Sequence, residues 1–191
     1  MILGNGKANC EIASVAAKLP DLKQIVYVSV SQEVDDSVGW LTGRSARIPQ
    51  WGEGYFIGKR QAEAAYLEAA KGGASTTFIK PSFIYGGDSF GLFPPRVNTG
   101  YGSGVEELLS KDLVQKVADK MPGLIKVALR PPVSVNAVAG AAAAAALGSG
   151  AKDAVLDGTV AINEAVGQAP ATGLSDFASS LKGKFAELTS S

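Results

Sequence analysis

Gly54-Tyr55-Phe56-Ile57-Gly58-Lys59-Arg60-Gln61-Ala62-Glu63 decides how this chain is read. It reads as the opening of a helix, so Tyr55 and Lys59, four residues apart, share one helix face a turn apart. A lysine cation placed there holds down the pKa of the phenol, which then exchanges a proton with a substrate near neutral pH. With 5 tyrosines in 191 residues, such a pair also arises by chance, so the spacing alone is weak. Its neighbours carry the weight.

Upstream, Gln24-Ile25-Val26-Tyr27-Val28-Ser29-Val30 is rich in β-branched residues, as expected of a strand buried on both faces of a parallel sheet. Downstream, the motif helix runs to about Lys71 and stops at Gly72-Gly73. A second strand follows at Thr76-Thr77-Phe78-Ile79-Lys80, ending in Pro81 and the turn Tyr85-Gly86-Gly87-Asp88. Strand, helix and strand at this spacing make a βαβ unit, so the expected class is α/β with a parallel sheet. Function in such folds gathers beyond the C-terminal ends of the strands. Ser31 lies just past the first strand, Ser82 and Tyr85 just past the second, and Tyr55 opens the helix between them.

The flanks are read by periodicity. Ile12, Val15 and Ala16 give an amphipathic helix over residues 7–18, closed by Pro20. Residues 31–53 are polar and turn-rich and read as a long surface loop; residues 88–104 read as irregular. Val105, Leu108, Leu109, Leu113 and Val117 repeat at three and four, predicting one helix that packs on something. A short apolar segment, 124–129, precedes a small-residue helix at 137–147, whose alanine run is also readable as low complexity. A strand is expected at Thr159-Val160-Ala161-Ile162-Asn163. Leu174, Phe177, Leu181, Phe185 and Leu188 form an apolar stripe on a terminal helix, suited to packing on its own domain or docking onto a partner. The expected division is one domain over 1–165 and a tail over 166–191.

Composition narrows the chemistry. Hydrophobic residues make up 46% and charged residues 19%, an ordinary globular balance. Eighteen basic residues match eighteen acidic ones, so no net field argues for nucleic acid, an anionic membrane or an acidic partner. The absence of histidine excludes imidazole metal sites and Ser-His-Asp or Cys-His hydrolysis, and no metal site is expected. The single Cys10 forms no internal disulfide and fits a reducing compartment. No window has the roughly 18 apolar residues of a membrane span, and Met1-Ile2-Leu3-Gly4-Asn5-Gly6 lacks the basic start and apolar core of a signal peptide.

Five ordered motifs then point to a family: Gly4-Asn5-Gly6-Lys7-Ala8-Asn9, Val26-Tyr27-Val28-Ser29, the Gly54–Glu63 stretch, Lys80-Pro81-Ser82-Phe83-Ile84-Tyr85-Gly86 and Pro131-Pro132-Val133-Ser134-Val135. Together, across residues 4–147, they resemble the atypical and extended short-chain dehydrogenase/reductases, Rossmann-fold proteins that bind NAD or NADP. Within that group the chain looks most like the branch of plastid Rossmann-fold proteins and the nucleotide-binding accessory subunit of respiratory complex I. The resemblance implies Tyr55 as general acid/base and Lys59 as the residue that hydrogen-bonds the nicotinamide ribose and lowers the tyrosine pKa. Ser31 takes the place of the catalytic serine, with Ser29 the weaker alternative inside the strand. Asn9 matches an asparagine in the helix before that strand, and Pro81, Ser82 and Phe83 match the segment lying against the nicotinamide. At Asn136 the family commonly has an aspartate, and Gln32-Glu33-Val34 after Ser31 departs from the enzymatic members.

The family's fold starts with a strand, a Gly-x-x-Gly-x-x-Gly turn and a helix N-terminus that holds the pyrophosphate. No such stretch stands before Gly4. The expectation is therefore an incomplete Rossmann-like, doubly wound parallel sheet without its nucleotide-binding half, followed by a helical tail. The strand at 24–30 would carry an unpaired edge whose exposed Val and Ile side chains each forgo about 1.5–3 kcal/mol of burial. Either the chain is the C-terminal portion of a longer protein or other subunits cover that edge. Three functions follow: a non-catalytic accessory subunit of an organellar photosynthetic or respiratory assembly, located in plastid or mitochondrion by family analogy; an NAD(P)-dependent reductase, epimerase or dehydratase; or a nucleotide-sensing module.

Overall fold

The computed structural model describes residues 3–43, 50–87, 91–92, 95–121 and 123–168. A π-helical turn, Leu3–Lys7, leads into helix α1, Ala8–Ala16, within the helix expected there. Strand β1, Gln24–Val28, follows. The stretch after Ser31, expected as a loop, begins instead with helix α2, Gln32–Gly43. Its start is fixed from two sides: the Ser31 carbonyl accepts from the N–H groups of Val34 and Asp35 at 3.1 Å, and the Asp157 carboxylate accepts from the Gln32 N–H at 3.2 Å. A cap supplied from the far end of the chain satisfies an orphan helix donor in a way no local pattern announces. Helix α3, Gln50–Ala70, begins before Gly54 and ends where expected, with Gly73 at φ +109°.

Strand β2 is Ser75–Lys80 and the short β3 is Ile84–Tyr85. A two-residue antiparallel pair, β4 (Gly91–Leu92) with β5 (Pro95–Arg96), precedes helix α4, Thr99–Leu109, which occupies part of the stretch expected to be irregular. The Asn98 side chain starts α4 by accepting from the Tyr101 N–H at 2.9 Å. The single helix expected over 105–117 is two: α5 is Asp112–Ala118, and Lys111 between them is extended. Helix α6, Gly123–Ala128, and strand β6, Val133–Ser134, come next. Helix α7, Val135–Ala146, is capped by the Ser134 hydroxyl, which accepts from the Ala137 N–H at 3.0 Å. The strand expected at 159–163 is corrected: strand β7 is Ala154–Asp157, and Gly158, at φ +80°, turns the chain into helix α8, Gly158–Ala165. The apolar stripe from Leu174 to Leu188 lies outside the described residues.

These elements make a mixed α/β protein, with eight α-helices and a small parallel sheet among the described residues. The sheet order is β1-β2-β7, parallel throughout, with Tyr27 opposite Phe78 and Ile79 opposite both Val28 and Leu156. Alternation along the strands divides the core into two layers. On one face Ile25, Tyr27 and Phe78 pack against Ala13 of α1 and Ala62, Tyr66 and Ala69 of α3. On the other, Ile79, with Val26, Val28 and Leu156, packs against Val133, Ala137, Val138, Ala141 and Ile162. The small alanines of α7 let that helix approach the sheet closely.

β1 stands at the sheet's edge, as expected, but its faces are not bare. Ile25 is 7% exposed, and Val26 and Val28 are half-buried against the second layer. The side-chain cost expected of an uncovered strand is therefore largely absent, and what stays open, among the described residues, is the hydrogen-bonding edge. Lys23, Ser29 and Ser31 bond to β2 and the residue just after it, through Ser75, Ile79 and Pro81. By alternation, Gln24, Val26 and Val28 direct their backbone groups away from β2.

A second small sheet pairs β3 with β6 in parallel. Behind it, the Tyr85 hydroxyl donates to Glu106 at 2.6 Å and the Asn163 amide donates to the other oxygen of that carboxylate at 2.8 Å. All three residues are buried. The cluster ties α4 and α8 to β3, and burial beside the carboxylate pushes the Tyr85 phenol pKa up. Gly102 permits the contact, since a Cβ there would fall 2.2 Å from the Tyr85 ring.

Candidate functional site

The carboxyl ends of β1, β2 and β7 open onto a cavity of about 310 Å³, where ligands sit in open parallel sheets. Ser31, after β1, and Ser82, after β2, line it together, with Glu33, Arg130, Asp157 and Thr159 among the other walls. Ser31 is 4% exposed, and its N–H is held by the Pro81 carbonyl at 3.0 Å. The Pro131 carbonyl collects two hydroxyls, Ser82 at 3.1 Å and Thr159 at 2.5 Å. Asp157 precedes α8 without capping it and serves the N-terminus of α2 instead.

Arg130 organises the wall between α2, α5 and α6. It donates twice to Glu33, at 2.5 and 2.7 Å, and also to Gln115 and Asp119 at 2.5 and 2.8 Å. Lys126 adds a third cationic contact to Glu33 at 3.0 Å. The Arg130 hydrogen bonds hold the Glu33 carboxyl below its usual range, against the opposing effect of burial. Glu33 thus ionises more readily folded than unfolded. Its stabilisation is complete above the ordinary value of 4.5 and disappears as pH falls through the lower folded value. Glu33→Gln is expected to cost about 1 kcal/mol at pH 7, discounted for partial exposure, or about 2–4 °C in Tm. Thermal melts at pH 7 and at pH 3 check this: the gap should narrow in acid, and an equal gap at both would contradict it.

The remaining sequence-predicted residues lie in other settings. Tyr55 and Lys59 are on one face of α3, as expected, but neither lines the cavity that holds Ser31 and Ser82. The Lys59 ammonium donates to the Val28 carbonyl at 2.8 Å, on the open edge of β1. It lies 4.8 Å from the centre of the Tyr27 ring and 5.6 Å from that of Tyr55. The expected lowering of the Tyr55 pKa is not what this geometry gives, because burial pushes the phenol up. Burial also lowers the Lys59 pKa, with Glu63 opposing. Next along the face, Glu63 accepts from the Ser29 hydroxyl and pairs with Lys80 at 2.8 Å. The buried Tyr27 hydroxyl has no hydrogen-bond partner among the described residues.

Asn9 works within the fold. Its amide donates to the carbonyls of Gly4 and Asn5 at 3.2 and 3.1 Å, and its oxygen accepts from Tyr66 of α3 at 2.9 Å. Pro81 is buried. Phe83 is 54% exposed and lines a separate, largely apolar cavity of about 200 Å³, shared with Ile84, Tyr101, Val105 and Leu109. No family model, curated protein or solved structure matches this chain. The chemistry therefore rests on geometry: in this structure Lys59, Asn9 and Ser82 each donate to backbone carbonyls of the protein itself.

Sequence reading missed Glu33, Gln115, Arg130, Asp157 and Thr159 as parts of one wall. Arg130 stood beside a quoted motif, but the five are brought together only by the packing of α2, α5 and α8 around the strand ends.

Proposed function

We propose that this chain is a non-catalytic accessory subunit that keeps part of a Rossmann-like sheet as a scaffold, with a partner chain along the edge of β1. The observation that carries the reading is the position of Lys59. Its ammonium is bonded to Val28 on the strand edge and flanked by two aromatic rings, where it helps hold α3 on β1. A lysine at an open edge also discourages indiscriminate strand pairing, while Gln24 and Val26 keep backbone groups for a specific one. The setting in an organellar photosynthetic or respiratory assembly follows from the resemblance of the five motifs. The competing enzyme reading draws on Ser31 and Ser82 sharing one cavity at the strand ends.

Titration of NADPH with the 191-residue protein separates the two. The expected result is no quenching and no shift of the nicotinamide fluorescence. Micromolar affinity, about −8 kcal/mol, would overturn the reading in which the scaffold has lost nucleotide binding and favour the cofactor-dependent one.

A further inference from the structure

Groups beyond the carboxyl ends of β1 and β7 have bonding capacity that the protein itself does not use. Ser31 is 4% exposed and lines the cavity of about 310 Å³, and its hydroxyl has no hydrogen-bond partner among the described residues. A buried hydroxyl is rarely left so, because its lost bonds to water are then not replaced. Helix α8 adds donors. Its first residues, Gly158, Thr159 and Val160, line the same cavity, and no side chain caps them. First-turn N–H groups have no partner within a helix, point out of its N-terminal end and carry partial positive charge.

Beside them stands the exposed Asp157 carboxylate. Its oxygens take only the Gln32 N–H, at 3.3 and 3.2 Å, and no cation pairs with it among the described residues. The cavity thus places donors suited to an anion next to a carboxylate suited to a cation. Arg130, the one cation among its described walls, is committed to Glu33, Gln115 and Asp119. A phosphate or sulfate would therefore meet Asp157 with no free cation to offset it. A ligand that brings both charges satisfies every one of these groups.

We propose that this cavity binds a small α-amino acid as its zwitterion. The ligand carboxylate accepts from the N–H groups that open α8 and from the Ser31 hydroxyl, and the ligand ammonium pairs with Asp157. Ser82 and Thr159 already donate their protons to the Pro131 carbonyl, so their oxygens keep only the capacity to accept, which suits an ammonium as well. At about 310 Å³ the cavity falls at the lower end of small-molecule pockets, ~300–1,000 Å³. Pro131 and Val160 supply only a short apolar wall, which favours a small side chain. The site requires neither a reaction nor a nucleotide, so it stands apart from the accessory-subunit reading: NADPH titration tests that reading, and titration with amino acids tests this one.

Calorimetric titration of the 191-residue protein with glycine, L-alanine and L-serine is the test, with L-alaninamide and N-acetyl-L-alanine as probes that each carry only one of the charges. At least one of the amino acids is expected to bind with a sub-millimolar Kd and to raise Tm. Both blocked probes should bind about tenfold more weakly or worse. Ser31→Ala removes a hydrogen bond to the ligand carboxylate and should weaken binding about tenfold. It should leave the Tm of the unliganded protein unchanged, since that hydroxyl bonds to nothing among the described residues. Asp157→Asn keeps an acceptor for the Gln32 N–H and should weaken binding about threefold to fivefold, as befits an exposed ion pair. Absence of binding by all of the amino acids, equal binding of either blocked probe, or undiminished binding by either variant would each overturn the proposal.

Discussion

Ile79→Ala is expected to remove about 2–5 kcal/mol of unfolding free energy, a large part of the roughly 5–15 kcal/mol that a domain possesses. Ile79 is fully buried on the central strand and lies opposite Val28 on one side and Leu156 on the other. Its side chain meets Val133, Ile162 and the alanines of α7. Those alanines have no rotamers with which to fill a void, and the strand is held by neighbours on both edges, so the space left by truncation cannot collapse. Urea denaturation should show a lower midpoint at unchanged slope. A loss below about 1 kcal/mol would mean that this layer is less tightly packed than the structure has it.

Glu106→Ala is expected to cost about 3 kcal/mol or more. The Tyr85 hydroxyl and the Asn163 amide both donate to that carboxylate in a fully buried setting. Removing it strands both donors, at about 1–3 kcal/mol each, and leaves a void besides. Glu106→Gln is the informative companion. It keeps an acceptor for Asn163 and offers its own N–H to the Tyr85 oxygen, so it should cost less than half as much. Thermal melts of the two variants decide the matter: if alanine and glutamine behave alike, the cluster is not held by these hydrogen bonds.

Strands β1 and β2 were legible because a parallel strand packed on both faces must be a run of β-branched and aromatic residues, and Ile25-Val26-Tyr27-Val28 and Thr76-Thr77-Phe78-Ile79 are such runs. α7 was legible from its small residues, though its expected start at 137 lies two residues inside the helix that Ser134 caps. α2 was not, because its glycines, Gly39 and Gly43, argue locally for a loop, whereas its cap comes from Asp157 and its packing partner is α6. Val160 and Ile162 read as a strand by propensity, yet Gly158 turns the chain at that point and the adjoining Ala154–Asp157 segment takes the edge position on β2. The candidate site divided in the same way. Ser31 and Ser82 were visible as residues just past strand ends, which topology alone places together. The positions of Tyr55 and Lys59 on one helix face were also visible, but not their surroundings, because only the packed structure shows an ammonium bonded to Val28 and a phenol raised by burial.

The β1-β2-β7 order also bears on how the chain comes to be made. β1, α3 and β2 are complete once Lys80 has been synthesised, and the Tyr27–Phe78 pairing can form at once. β7 arrives only with Ala154, about 4–15 s later at common rates of translation. Throughout that interval β2 is itself an edge strand, the partners of Ile79 in α7 and α8 are still to come, and α2 lacks the carboxylate that caps it. The nascent chain thus passes through a stage with two open sheet edges and an uncovered apolar face, the kind of surface that chaperones shield. Arrival of a single residue, Asp157, completes the β2–β7 register and caps α2 together, and α8 then brings Ile162 onto the Ile79 face.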